Sequence, residues 1–369
     1  YQAVAEAASQ CAGGGVTVSV DLNKDHKDRQ VASLTANPAE FTSSLANNSA
    51  LRVLMNDGLV RPLNNLVAKH ASGLQDMQFV TVDGEVMAIA YMANAQHLFY
   101  RSDILDAAGV APPKTYEEVL AAAKAIKDKG LMEYPIAGTY EGWNLGLEFI
   151  NMYLGHGGEF FESGSVKPAV NNAKGVATLN MMKSLTEYMN PDFLTYDSNA
   201  VQADWEAGKV ALTNLWGSRA GPVTDGEGST AEIESNTKFA SAPTVAGGSR
   251  PATTLWWDGF TIATNISDED AVATFKAMMN GITTQMALAN AEKANWLIKG
   301  AKQNPAGVGV LASASGGALP YPMLPYFGAM HTALGAEIIE FLQGNESAEK
   351  ALEDVEAAYI AAATEKGFL

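Results

Sequence analysis

The sequence predicts an α/β protein built as two lobes, and three observations lead there. Its 369 residues exceed the roughly 250–300 that a single hydrophobic core usually serves. Short apolar runs with strand character alternate with capped amphipathic stretches, the pattern that puts helices against sheets. Hydrophobic residues make up 47% and charged residues 18%, a globular balance rather than a disordered one.

Along the chain, an alanine-rich helical stretch reaches the Gly13-Gly14-Gly15 break, and Val16-Thr-Val-Ser-Val20 then alternates β-branched residues as a strand does. Val31 to Ala36 reads as a short helix closed by Asn37-Pro38. The clearest helix is 116–129: Thr115 with Glu118 forms a capping box, Pro112-Pro113 precedes it and Gly130 stops it. Tyr116, Leu120, Ala123 and Ile126 lie on its predicted inner face. Ser267 with Asp270 starts a second helix, carrying Val272, Phe275 and Met279. Ser347 starts a third, with Leu352, Val355 and Tyr359 inward. Strands are expected at 86–90, 134–137, 210–214, 239–242 and 259–263, and Trp296 falls in a stretch that reads as helical.

Charge narrows the partners. The 24 Lys+Arg stand against 41 Asp+Glu, for a net charge of −17, with no basic run of the kind nucleic acids or anionic lipids require. No apolar run approaches the ~20 residues of a membrane span. Cys11 is the sole cysteine, so neither an internal disulfide nor a cysteine zinc site is available. His26, His70, His97, His156 and His331 are dispersed without a metal-binding spacing. There is no P-loop, dinucleotide fingerprint or nucleophile elbow, so no cofactor is expected. A glycosidase would need two facing carboxylates; Asp21, Glu141 and Asp258, near expected strand ends, are the candidates that keep a carbohydrate-active enzyme open as an alternative.

One segment is specific. Ala88-Ile-Ala-Tyr-Met-Ala-Asn-Ala-Gln-His-Leu-Phe-Tyr100 runs through Asp103 and Gly109 into Pro112-Pro113-Lys-Thr115-Tyr116-Glu-Glu. It resembles the signature of the extracellular solute-binding proteins of sugar importers, the maltose-binding-protein-like family. In the same order, Gly58 to Leu63 resembles the family's Gly-x-x-x-Pro-Leu turn, and Trp205-Glu-Ala-Gly208-Lys209 its aromatic element. The stretches 239–243 and 259–263 are similar to its Ala-Pro strand ending and to the strand returning to the first lobe. Family members open with a strand before their first helix, whereas this chain opens in what looks like that helix.

The resemblance implies a two-lobed, type II periplasmic-binding-protein fold with a ligand cleft between lobes joined by crossing hinge segments. Lobe 1 is expected over 1–100 plus 259–305, lobe 2 over 103–256 plus 306–369, and the hinges near 90–103 and 255–259. It implies an ABC-transporter component rather than an enzyme: a monomer exported to the periplasm, its signal peptide absent here, that hands a carbohydrate or polyol to a membrane permease. The same fold could serve a glycerophosphate, polyamine or other polar metabolite; the cations Lys24, Arg29, Arg101 and Arg219 are too dispersed to argue for a phosphate.

Sugars are gripped by rings that cover their C–H faces and by polar groups that bond their hydroxyls. The resemblance places ligand contacts of the second lobe at Tyr140, Glu141 and Trp143, and at Trp216, Ser218 and Arg219. Trp256, Trp257 and Asp258 fall at the second hinge, where adjacent rings on an extended chain point to opposite sides. Asp21, Asn23, Ser43 and Ser44 are expected at first-lobe strand ends and Asn94 on the crossover. Tyr321 and Tyr326 of a Pro-rich loop are expected at the cleft rim. Trp205 and Trp296 are assigned to packing.

Overall fold

A computed structural model describes residues 1–11, 16–23, 26–302, 304 and 307–369. The expected Gly13–Gly15 break and Lys24 lie outside the described residues. The chain divides into two compact units. Unit 1 comprises 1–94, 256–305 and 321–325; unit 2 comprises 95–255, 306–320 and 326–369.

The first run of unit 1 holds α1 (Gln2–Ser9), α2 (His26–Thr35), β1 (Ser43–Asn47), α3 (Asn48–Asn56), α4 (Asn64–His70), β2 (Phe79–Val82) and β3 (Glu85–Asn94). Unit 2 opens with β4 (Gln96–Arg101), α5 (Ser102–Ala108), α6 (Tyr116–Asp128), β5 (Ile136–Ala137) and α7 (Trp143–Gly155). It continues with α8 (Ala173–Thr186), α9 (Ser198–Glu206), β6 (Leu212–Trp216), α10 (Ala231–Asn236) and β7 (Thr237–Ala240). The long β8 (Thr254–Ile262) leads back to α11 (Asp268–Gly281), α12 (Thr284–Ala289) and β9 (Asn295–Trp296) of unit 1. Unit 2 closes with α13 (Val308–Ser315), β10 (Leu319–Pro320), α14 (Phe327–Glu337), α15 (Ile339–Gln343) and α16 (Ala348–Glu365).

In unit 1 the strands run β1-β8-β3-β2, all antiparallel, with β9 added on β3. Both faces of this sheet are covered. Phe260 and Ile89 pack with Val4 of α1, Phe275 of α11 and Met286 of α12. Ala46 and Ala88 pack with Leu34 of α2 and with Leu51 and Leu54 of α3. That is why β3 reads as a near-continuous apolar run rather than an alternating one. Gly259 is needed where β8 crosses β3: a Cβ there would stand 2.4 Å from the Ile89 carbonyl oxygen.

In unit 2 the order is β5-β6-β4-β7, with β4 antiparallel to both neighbours and β5 parallel to β6. Trp205 is fully buried against the edge of Phe99, ring centroids 5.9 Å apart, as its assignment to packing anticipates. Its indole Nε1 donates to Thr237 Oγ1 at 3.0 Å. Helix α7 is buried from Leu145 to Gly155 because both α8 and α14 pack on it. The approach of α14 is close, and a Cβ on Gly146 would meet His331 at 2.7 Å.

The capped helices form where expected. Thr115, Ser267 and Ser347 each accept the backbone N–H three residues on, leaving fewer orphan donors at the helix start. In α6 the buried residue of the second turn is Val119 rather than Leu120. Two further expectations fail. Val16 makes an isolated bridge, residues 17–20 join no strand, and Val16 and Val20 are 39% and 45% exposed. Alternation supplies strand conformation, but a strand forms only against a neighbour, and the described neighbour of β1 is β8. Trp296 is not helical: it lies in β9, opposite Met92, and its indole donates to the Asn290 carbonyl.

Candidate functional site

Each unit carries its own group of candidate residues. In unit 2, Gly142 turns the chain at φ 49° and Trp143 begins α7. The partly buried indole lies flat on the His331 imidazole, centroids 4.2 Å apart and planes 22° from parallel. Nε2 of His331 is 2.8 Å from the Trp143 carbonyl oxygen. A carbonyl only accepts, so that nitrogen carries the proton. Ring and backbone are thus held by one partner, and sequence reading gave His331 no role.

Trp216 ends β6 opposite Gln96. Beyond it Ser218 is exposed, while the Arg219 guanidinium donates to Gln202 Oε1 and Asn199 Oδ1, both at 2.8 Å. Tyr140 is 2% exposed and set edge-on to Phe193; burial first, then the nearby Glu148 carboxyl, holds its phenol well above the usual range. Glu141 beside it is exposed. Tyr326 is half-buried, its ring meeting Phe161 and Phe368.

In unit 1 the antiparallel register gathers Asn94 opposite Trp256, Ala93 opposite Trp257, and Met92 and Asn47 opposite Asp258. Trp256 is 6% exposed and packs on Tyr321, centroids 4.3 Å apart. Trp257 points the other way, as the strand period requires. Its backbone N–H donates to Asn48 Oδ1 at 3.0 Å. Asn48, 2% exposed, is a polar group that sequence reading missed; the Asn47-Asn48 pair at a helix start is the signal that marked it. Asp258 is 5% exposed and lies close enough to the Tyr1 amino group and the Tyr91 phenol to shift both.

Four first-unit candidates stand elsewhere, two on β1 and two on the segment before α2. Ser43 Oγ donates to the Thr261 carbonyl, and Ser44 Oγ accepts from Gln30 at 2.6 Å. Asp21 pairs with Arg29 at 3.0 Å, and Asn23 is exposed. These line a cavity of about 790 Å³ within unit 1, walled by α1, α2, β1 and α11. Among the described residues no cluster of metal-ligating side chains occurs.

Two units of strands and helices, each with an indole braced by a second aromatic beside amide and carboxylate groups, describe a binding protein. The profile of the bacterial extracellular solute-binding protein family matches residues 35–286, and the chain belongs to that family. A Deinococcus radiodurans protein described as a "Probable ABC transporter-binding protein" is 32% identical over 195 residues. That alignment covers 50% of this chain and 44% of the relative, so it spans under half the relative's length. Among solved structures, an ABC-transporter solute-binding protein of Agrobacterium radiobacter K84 in complex with ribitol superposes with a TM-score of 0.83 at 19% identity, covering 96% of this chain and 93% of that one. Maltose-bound MalE3 of T. maritima gives 0.79 at 19% identity, covering 91% and 88%. The fold is therefore that of the type II periplasmic binding proteins.

Proposed function

We propose that this chain is the substrate-binding component of an ABC importer, which captures a carbohydrate or polyol and delivers it to a membrane permease. The observation that carries this reading is the partly buried indole of Trp143 braced flat on His331, with the partly buried Trp257 on β8 as the second ring. A ring fixed from behind offers its front face to the C–H face of a sugar at little entropic cost. The neighbouring Asn94, Asn48, Asp258 and Glu141 supply acceptors and donors for hydroxyls. The related structures bound to ribitol and maltose support the same cargo class.

In this reading the two units are the lobes of a ligand cleft, with segments near 90–103 and 255–259 as hinges. Ligand shifts the population toward a closed form that the permease accepts. No covalent step is required, and the protein works as an exported monomer. Arg219 is engaged by two side-chain amides, which favours a neutral solute over a phosphate.

A thermal-shift screen against sugars, polyols, glycerophosphates and polyamines tests this, because a ligand that binds only the folded state raises Tm by mass action. A shift with a sugar or polyol, without product on long incubation, supports the reading. Shifts confined to charged metabolites overturn the cargo assignment, and turnover overturns the transport role.

A further inference from the structure

Helix α7 carries two polar side chains into the core of unit 2. Glu148 and Asn151 are 6% and 1% exposed. Glu148 Oε1 accepts from Thr139 Oγ1 at 2.5 Å and from Gln96 Nε2 at 3.0 Å. Asn151 Nδ2 donates to Gln96 Oε1 at 2.6 Å, and Thr254 Oγ1 donates to Asn151 Oδ1 at 2.8 Å. Gln96 is the second residue of unit 2 after β3, and Thr254 the second-last before β8 passes into unit 1. One buried network therefore fastens both strand connections to a single helix, and Gln96 also stands opposite Trp216.

Beside Glu148 is a chamber of about 30 Å³, lined also by Tyr116, Tyr140, Thr213 and Asn214. The Thr213 hydroxyl is buried with no hydrogen-bond partner among the described residues, and the buried Asn214 amide faces the Tyr116 phenol. A chamber this size with several polar atoms fits one water. The titratable groups facing Glu148 are the phenols of Tyr116 on α6 and Tyr140 after β5, which burial keeps neutral. From α8 and its end come Leu185 and Met189, and from β4 and β6 Leu98 and Leu212, all uncharged. His331 of α14 meets α7 at Trp143 and Gly146. With no cation opposite among the described residues, burial lifts the Glu148 carboxyl to about 7, against the pull of its bonds from Thr139 and Gln96.

We propose that Glu148 is a positioning residue that, with Asn151, fastens Gln96 and Thr254 to α7, and that a charge on Glu148, buried with no cation to pair it among the described residues, loosens the β4–β6 edge bearing Trp216. The relevance to ligand rests on the reading above of Trp216 as a contact; the loosening itself does not, so the two fail separately.

The test uses the whole chain without ligand. Amide hydrogen exchange over 96–100 and 212–216, corrected for the intrinsic pH dependence, is measured from pH 5.5 to 8.5. In the wild type, protection should fall about tenfold or more across that range, while Glu148→Gln, a neutral mimic, should stay flat. An infrared carboxylic-acid carbonyl band present in the wild type at pH 5.5 should vanish in Glu148→Gln. Thr139→Val, which removes a bond favouring the ionised form, should move the wild-type transition to higher pH. A flat wild-type profile, an unaltered transition in either variant, or no acid band assignable to Glu148 overturns the proposal.

Discussion

The indole of Trp143 and the imidazole of His331 are stacked 4.2 Å apart, and the same imidazole bonds the Trp143 carbonyl at 2.8 Å. The first turn of α7 is thereby clamped on two sides, by ring contact and by hydrogen bond. His331→Phe keeps the first and deletes the second, so it should cost about 1 kcal/mol of stability and leave affinity within severalfold. Trp143→Ala should instead weaken binding of the ligand found by the screen by tenfold or more, about 1.4 kcal/mol. Calorimetric titration of both variants separates the roles.

The two adjacent tryptophans of β8 should separate in the same way. Trp256 is buried on Tyr321, so Trp256→Ala should cost about 3–5 kcal/mol of folding stability. Trp257 is only partly buried, and Trp257→Ala should lower affinity with a much smaller loss of stability. Urea unfolding read beside ligand titration distinguishes them; equal stability losses would contradict the assignment.

His97 gives a signature at acid pH. It is buried between Phe99 and Phe239, and burial pulls its pKa down to about 4 despite a favourable contact with the Leu98 carbonyl. A depressed folded value means the neutral imidazole contributes stability above the unfolded pKa near 6.5. That contribution falls away as pH drops through 6.5 toward 4, by about 3 kcal/mol in all. His97→Leu should flatten this part of the wild-type curve of stability against pH, whose remaining slope belongs to carboxylates.

Helix α13 packs on the same imidazole through Gly309, where a Cβ would come within 2.2 Å of His97 Nδ1. Gly309→Ala should destabilise the protein by about 1–3 kcal/mol, although alanine is the better helix former in isolation. A denaturation midpoint at or above wild type would refute this contact.

Legibility in the sequence followed the strength of local rules. Helix α6 was readable because Thr115, Glu118 and Gly130 act within a few residues of one another. Strand β1 was not, because Ser43 to Asn47 lacks an apolar period and is a strand by virtue of pairing with β8. Val16 to Val20 shows the converse, a local preference that builds no strand beyond a single bridge at Val16. At the candidate site the tryptophans were visible as residue types, but His331 became relevant only through its contact with a residue far away in sequence. Glu148 did carry a signal, a single carboxylate inside the apolar run from Leu145 to Leu154, whose meaning depended on Gln96 and Thr139.

The division of each unit among three stretches of chain bears on how the protein is made. Ser43 Oγ bonds a carbonyl 218 residues further on, so the first sheet cannot close until β8 has left the ribosome. Contacts at that separation form slowly, since a long loop must be closed before they repay it. More than half of the polypeptide must therefore be synthesised before the sheet of unit 1 can lock.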